Sequence, residues 1–569
     1  NHIFYFPMVN KYLDHTLYPN DILIESFIKI SPSFFWIGVS YLSSYISLEV
    51  ILYLIHVLSR FIAIFAIWKI IGLMTSSKKV ILLSTFFLVM APLTYSLPTL
   101  IGADFIFWNY TTHSSLALSL LFLCIYFFLA KRMIMAFALL GITYNIHLIY
   151  ANFVLFAFVV STVIKYRETS VRVLGISSLV FLAFSLPTLI STLPTLSLFS
   201  GTSKHQADFV SYVAATYPFH YFISFEAKEN IFDFILIAAA SSFVFFKLES
   251  NEIARRLGWL IFQFMVLVII GIVAGELYPI DFVFKLQLLR ACGILTVLMI
   301  MIILVWCLTV CERQNLNHEV LVAGAIIYGL ITKIYYIAPI YVIILLLNQY
   351  IQNKKQTVTV LHQKKIMQNK DGVVITKQSK RLIAIMVISL VCLSFYFSYL
   401  KPGIIKDRLS GIYYISAAKV NRPWVDVQLW ARKNTPKDAV FIVPLHIGGF
   451  RVYSQRSVFM EWKGVGYGVF DENFRTEYQR RLADLSIDIN EVKTLQLKGS
   501  GINMYLKNKY YSISYKRIEK IAREYGIQFI VYENHTTLEG LEPVYRNSKY
   551  SVYSTRHLGN GGKEYETYL

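Results

Sequence analysis

Apolar stretches long enough to cross a lipid bilayer recur along most of this chain, and no other feature restricts its fold as much. About 20 apolar residues span a hydrocarbon core. Stretches that meet or approach that length cover 48–74, 80–97, 116–130, 171–190, 231–246, 257–274, 294–310 and 382–399. Two longer ones, 133–164 and 320–347, are interrupted at Asn145-Ile146-His147 and at 333–339, and each reads as a hairpin of two short helices. The expectation is a polytopic α-helical membrane protein with about 12 spans. With 56% hydrophobic and 16% aromatic residues, a soluble protein of this size is excluded. The chain begins at Asn1 with neither Met nor signal peptide, so one more span is expected upstream.

Charge orients the spans. The net +20 points to membrane topology rather than nucleic acid, because the basic residues before the final soluble stretch sit largely in loops between spans. With residues 1–31 as an outer loop, the inner loops hold Lys78 and Lys79, Lys131 and Arg132, Lys165, Arg167 and Arg172, Lys247, Arg255 and Arg256, and Arg313. A long basic loop at 349–381 completes the inner side and suits anionic lipid. The alternation holds only when both hairpins are split, and it places everything after Lys401 outside. Residues 1–400 are therefore expected as the membrane domain and 401–569 as an extracytoplasmic domain. In that domain a helix at 425–433 precedes an apolar strand at 439–444. Further strands are expected at 457–462, 527–532, 543–546 and 550–554 and a helix at 518–525, which together make a small α/β layer structure. The five cysteines all lie in or beside apolar spans and have no metal-ligand spacing.

Polar residues that could carry chemistry collect on the outer side. The 1–31 loop holds Asp14 and, in the turn Tyr18-Pro19-Asn20-Asp21, a second carboxylate above the bilayer; a cap for the helix that follows is the alternative for Asp21. The 98–115 loop holds Asp104 and His113 and no Lys or Arg, so Asp104 reads either as a base or metal ligand or as a solvated cap. His147 tips the first hairpin, where it either packs the turn or binds substrate. Tyr217-Pro218-Phe219-His220 makes an aromatic turn suited to a sugar ring or to interfacial anchoring. Lys285 and Arg290 stand at the outer end of a span. An arginine fork there suits a lipid phosphate, and snorkelling is the alternative.

Together these residues resemble the GT-C class of integral membrane glycosyltransferases, in particular its bacterial members. The likeness rests on Tyr18-Pro19-Asn20-Asp21, on Lys131-Arg132 leading to Gly141-Ile142-Thr143-Tyr144-Asn145-Ile146-His147, on Tyr217-Pro218-Phe219-His220, and on Lys285 to Arg290. It also rests on the tail, from Trp424 to Trp430 and Ala431-Arg432-Lys433-Asn434-Thr435-Pro436, and on its ending at Leu541 to Tyr545 and Lys549 to Tyr553. Two adjacent acids are common in the first loop of that class, whereas here Asp14 and Asp21 are separated. The resemblance implies sugar transfer from a polyprenyl-phosphate donor to an envelope glycan, lipid or protein acceptor at the outer face. Asp21 would be the base, with Arg290 and Lys285 on the phosphate. Asp104 would act through substrate hydroxyls or a divalent ion, and Asp14, His113, His147 and His220 would line the substrate pocket. Two rival readings are a lipid-linked sugar flippase and a non-catalytic envelope protein.

Overall fold

The computed structural model describes residues 2–30, 33–90, 100–102, 111–164, 170–196, 206–248, 251–312, 323–327, 329–330, 421–495, 497, 500–535 and 542–555. Asp104, the basic segment 349–381, the spans expected beyond residue 330 and the start of the tail lie outside them.

The first thirty residues correct the expectation of an open loop. They form two helices, α1 (His2–Leu13) and α2 (Ile22–Ile30). Leu23, Ile24 and Phe27 fall on one face of α2 and are buried, the spacing that gives a helix a core side. Between the helices the chain turns through Tyr18 at φ 53°. The hairpin has its own apolar contacts: Met8, Val9 and Phe27 pack with Trp36 of α3 (Phe34–Ser43) and with Ile51 and Leu52 of α4 (Leu48–Met74).

The bundle continues with α5 (Lys78–Met90), α6 (His113–Leu129), α7 (Met133–Tyr144), α8 (Leu148–Ile164), α9 (Val171–Leu196), α10 (Gln206–Thr216), α11 (Lys228–Lys247), α12 (Glu252–Glu276), α13 (Asp281–Lys285) and α14 (Cys292–Glu312). Five described segments are long and apolar enough to cross a membrane: 48–74, 171–192, 228–247, 252–276 and 282–312, with a sixth if α2 and α3 count as one bent span. The first expected hairpin breaks where its sequence does, between Tyr144 and Leu148. Its arms have 12 and 17 residues, or roughly 18 and 26 Å of helix against a core of about 30 Å.

The segment 282–312 is the axis of the bundle, with 89% of its most apolar window buried. An all-apolar helix has no wet face and must be surrounded. Lipid tails are as apolar as leucine, so the helices gain little from hiding apolar surface from one another, and close packing through small residues takes over. Gly141 of α7 lies against the Phe181 carbonyl of α9, and Gly275 of α12 against the Tyr221 carbonyl. A methyl group at either position would collide with backbone. Asn145 stitches the hairpin break to α9, donating to the Phe184 carbonyl (2.6 Å) and accepting from Thr188 N and Oγ1 (3.1 and 2.8 Å). Backbone left unpaired at such depth is costly, and this amide joins the break to a neighbouring helix.

The described part of the tail is a small sheet domain with helices α15 (Arg422–Asn434), α16 (Phe450–Ser454), α17 (Glu472–Asp484), α18 (Ile489–Thr494), α19 (Ser500–Tyr511) and α20 (Tyr515–Tyr525). Strands β1 (Val440–Ile442), β2 (Ser457–Val458), β3 (Phe529–Glu533), β4 (Tyr545–Arg546) and β5 (Tyr550–Ser554) are ordered β2-β1-β3-β5-β4. The first three are parallel and the last two antiparallel. Successive strand side chains point to opposite faces. Val440, Ile442 and Ile530 accordingly pack with α17 to α20, while Phe441 and Val531 pack with Trp424, Val427 and Ala431 of α15. Both faces are covered, which is why the strands read as short apolar runs instead of alternating ones.

Candidate functional site

The site lies where the bundle meets the tail domain, and its centre is Arg290. The residue follows Gln287, which adopts the left-handed conformation (φ 51°, ψ 48°), and sits in a 3-10 turn immediately before α14. A non-glycine residue held there stores local strain, common at functional sites. Here the strained residue is also a support. Arg290 Nη1 donates to Gln287 Oε1 (2.9 Å), and Gln287 Nε2 donates to the Tyr221 hydroxyl (2.7 Å). Arg290 Nη2 donates to the Tyr150 hydroxyl (2.9 Å), and the guanidinium carbon lies 4.7 Å from the centre of that ring. Two directional contacts fix the plane of the fork.

Three histidines gather around it. His147 stacks on His113 at 4.8 Å and packs on Tyr150 at 4.3 Å. His113 opens α6, where Thr112 and Ser115 cap each other, and it meets the edge of Tyr5, which stacks on Trp36 at 4.3 Å. His220 is fixed on the other side. The Gly102 carbonyl, 2.6 Å from Nδ1, can only accept, so Nδ1 carries the proton and Nε2 accepts from the Tyr217 hydroxyl at 3.1 Å. Burial, aided by the positive charge of Arg290, lowers the His220 pKa to about 3, so the ring stays neutral at physiological pH.

Gly102 is what lets these pieces meet. Its φ is +81°, and a Cβ there would run into the Leu289 carbonyl, one residue before Arg290. Its N–H donates to Glu226 Oε1 at 3.1 Å. The tail domain closes the site from above. In its 3-10 segment Trp462–Val469, Gly466 abuts the Tyr217 ring, and Tyr467 packs on Phe27 at 4.3 Å.

Of the residues expected from sequence, Arg290, His113, His147 and His220 come together. Lys285 ends α13, five positions before Arg290. Asp104 lies outside the described residues; Gly102, two positions before it, is at the site. Asp14 is elsewhere, at the turn after α1, bound to Thr16 and to Lys437 Nζ at 2.9 Å, and the Thr16 and Lys437 contacts hold its carboxyl well below the usual range.

Asp21 takes the capping alternative instead of standing open as a base. It is fully buried, and Oδ1 accepts from the N–H groups of Leu23 and Ile24 (3.2 and 3.3 Å), which caps α2. Its Oδ2 accepts from Arg451 Nε (2.6 Å) and Val458 N (2.9 Å). Arg451 in turn donates to Glu461 Oε2 (2.8 Å), and Glu461 Oε1 accepts from Phe450 N (2.8 Å). Burial opposes charge on Arg451, but Asp21 and Glu461 outweigh it and hold the guanidinium pKa above its ordinary value. A carboxylate with both oxygens engaged and no solvent contact is a clasp between the hairpin and the tail domain, and it is not placed to take a proton from a substrate. The residues that sequence reasoning missed are Gln287, Tyr150 and Tyr221. Gln287 stood within the stretch Lys285 to Arg290, and Tyr221 directly follows Tyr217-Pro218-Phe219-His220.

Residues 422–485, from α15 through α17, are similar to a family described as a domain of unknown function, DUF6798. That stretch contains Arg451 and Glu461 and so covers the surface on which the hairpin docks. No curated protein and no solved structure matches the chain.

Proposed function

We propose that the chain is a membrane glycosyltransferase of the GT-C kind, taking sugar from a polyprenyl-phosphate carrier at the outer face of the cell membrane and passing it to an envelope acceptor. The observation that carries this reading is the Arg290 guanidinium, fixed by Gln287 and Tyr150 among three histidines at the end of an apolar bundle. A guanidinium fork matches phosphate oxygens. As the bond between sugar and phosphate breaks, negative charge grows on the phosphate, and a cation already in place stabilises it without reorganising. The neutral His220, held by the Gly102 carbonyl and the Tyr217 hydroxyl, shapes the pocket without adding charge. The C-terminal domain, extracytoplasmic in this reading, roofs the site and presents the acceptor. Because Asp21 is committed to Arg451, the base is Asp104, next along the chain after the Gly102 junction. Among the described residues no three His, Cys, Asp or Glu side chains are grouped to hold a metal ion.

The test is transfer of label from a panel of radiolabelled polyprenyl-phosphate sugars to endogenous acceptors in membranes carrying the full protein. Transfer by the wild type that Arg290→Ala and Asp104→Asn both lose supports the reading. Consumption of no donor by folded protein removes it, and transport of a lipid-linked sugar in proteoliposomes is then the next assay. Loss of transfer in EDTA would give Asp104 a divalent ion as partner.

A further inference from the structure

At the opposite end of the bundle from Arg290, α6, α7, α8, α9 and α12 enclose a cavity of about 240 Å³. Its make-up changes across its width. At the mouth are Lys131, in the turn between α6 and α7, and Arg256 of α12, whose side chain is 14% exposed. Both reach the same carboxylate, Glu252, at 3.2 and 2.9 Å. Deeper in are Ser161 and Gln263, hydrogen-bonded to each other at 2.9 and 3.1 Å. Beside them is Thr162, whose buried hydroxyl has no hydrogen-bond partner. Met133, Val173 and Trp259 make an apolar flank.

We propose that this cavity binds the phosphate-bearing headgroup of an anionic membrane lipid, with the first part of its acyl chains along the apolar flank. Three separate observations converge on that chemistry. The cationic pair supplies charge-assisted donors suited to phosphate oxygens. An unsatisfied buried hydroxyl costs free energy, and Thr162 regains a partner once a polar headgroup fills the space. At about 30 Å³ per water the cavity holds roughly eight waters, room for a headgroup and not for a whole lipid. The position suits the ligand too, since these helix ends carry the basic residues that mark the cytoplasmic leaflet, where anionic lipids concentrate. This site is independent of the proposed transfer reaction. Lipid bound here cross-links α6, α8 and α12, three of the helices that also position His113, Tyr150 and the 288–291 turn.

The test uses delipidated full-length protein in detergent, titrated with short-chain phosphatidylglycerol, with phosphatidylcholine of the same chain length and with inorganic phosphate, and read by thermal shift. Phosphatidylglycerol is expected to raise the Tm, with phosphatidylcholine and millimolar phosphate giving little. Arg256→Gln should raise the half-maximal phosphatidylglycerol concentration about tenfold, the loss of one charge-assisted contact. Thr162→Leu, which fills the cavity without touching a charge, should do the same if the headgroup enters. Equal protection by inorganic phosphate would overturn the lipid assignment. Undiminished phosphatidylglycerol binding by both folded variants would overturn the site.

Discussion

Replacing Arg451 by Met tests whether the N-terminal hairpin is clasped or merely adjacent. In the native chain its guanidinium lies between Asp21 and Glu461, whose side chains are fully buried, at 2.6 and 2.8 Å. Removing it leaves two carboxylates facing each other without water or a counter-ion, and breaking a buried pair from one side costs about 3–5 kcal/mol. Asp21→Asn is milder. Asparagine still offers an oxygen to Leu23 N and Ile24 N, and Arg451 keeps Glu461; the cost, about 1–3 kcal/mol, comes from an amide NH2 that faces the Arg451 Nε and Val458 N donors and cannot accept from them. A combined variant, Arg451→Met with Asp21→Asn and Glu461→Gln, removes the buried charges together and should recover part of what Arg451→Met alone loses, because the penalty comes from stranded charge. The assay is hydrogen exchange of residues 2–30 in detergent-solubilised protein, alongside the Tm. Arg451→Met should release the hairpin to fast exchange while the bundle helices stay protected. The reasoning fails if Asp21→Asn abolishes transfer with the hairpin still protected. In that case the carboxylate is chemical after all, and the closed arrangement is not the working one.

Other expected outcomes concern the Arg290 region and the sheet. Gly102→Ala places a methyl group against the Leu289 carbonyl at a φ of +81°, and should destabilise by about 1–3 kcal/mol; label transfer should fall more than the amount of folded protein, as read by gel filtration. Tyr150→Phe keeps the ring under Arg290 and removes its acceptor, so transfer should drop about tenfold with Tm nearly unchanged. In the sheet domain, His446 follows β1 and approaches Glu533 at 3.9 Å. Burial, partly offset by Glu533 and reinforced by Lys507 and Lys549, lowers its pKa to about 4 from 6.5. The unfolded chain therefore binds the proton first, and stability should decline as pH falls from 6.5 to about 4, by at most about 3 kcal/mol. Thermal melts of His446→Gln against pH should show a flatter slope through that window.

The elements that sequence made visible are those whose signal is local. The break at Asn145-Ile146-His147 interrupts an apolar run, and the helices stop and restart there. The five strands sit inside or over the expected runs because each is a short apolar segment between turn residues. Arg290 and the three histidines were visible because ionisable side chains are rare beside apolar spans. Tyr150, Tyr221 and Gln287 were not, since tyrosine and glutamine are unremarkable in such places and acquire a role only through partners far along the chain. Helix α17 was missed for another reason. Its buried face, Phe474, Tyr478 and Leu482, is interleaved with Arg475 and Arg481, which are buried too and bond to the Gly468 and Phe459 carbonyls. The periodicity reads as a charged, solvated stretch. The cap at Asp21 was legible in its turn, but the clasp was not, because Arg451 is 430 residues away and no spacing rule reaches that far.

That separation also sets a timetable. A ribosome adding about 5–20 residues per second takes roughly 20–90 s to go from Asp21 to Arg451, and the intervening spans must be inserted in the meantime. Through that interval the hairpin has no Arg451 to hold, and its carboxylate must stay hydrated at the membrane surface. A chain released early would carry an undocked hairpin, with Leu23 and the tail-facing surface around it bare, and would present a ready substrate to quality-control proteases. Completion of the sheet domain is thus recorded at the hairpin that Asp21 anchors.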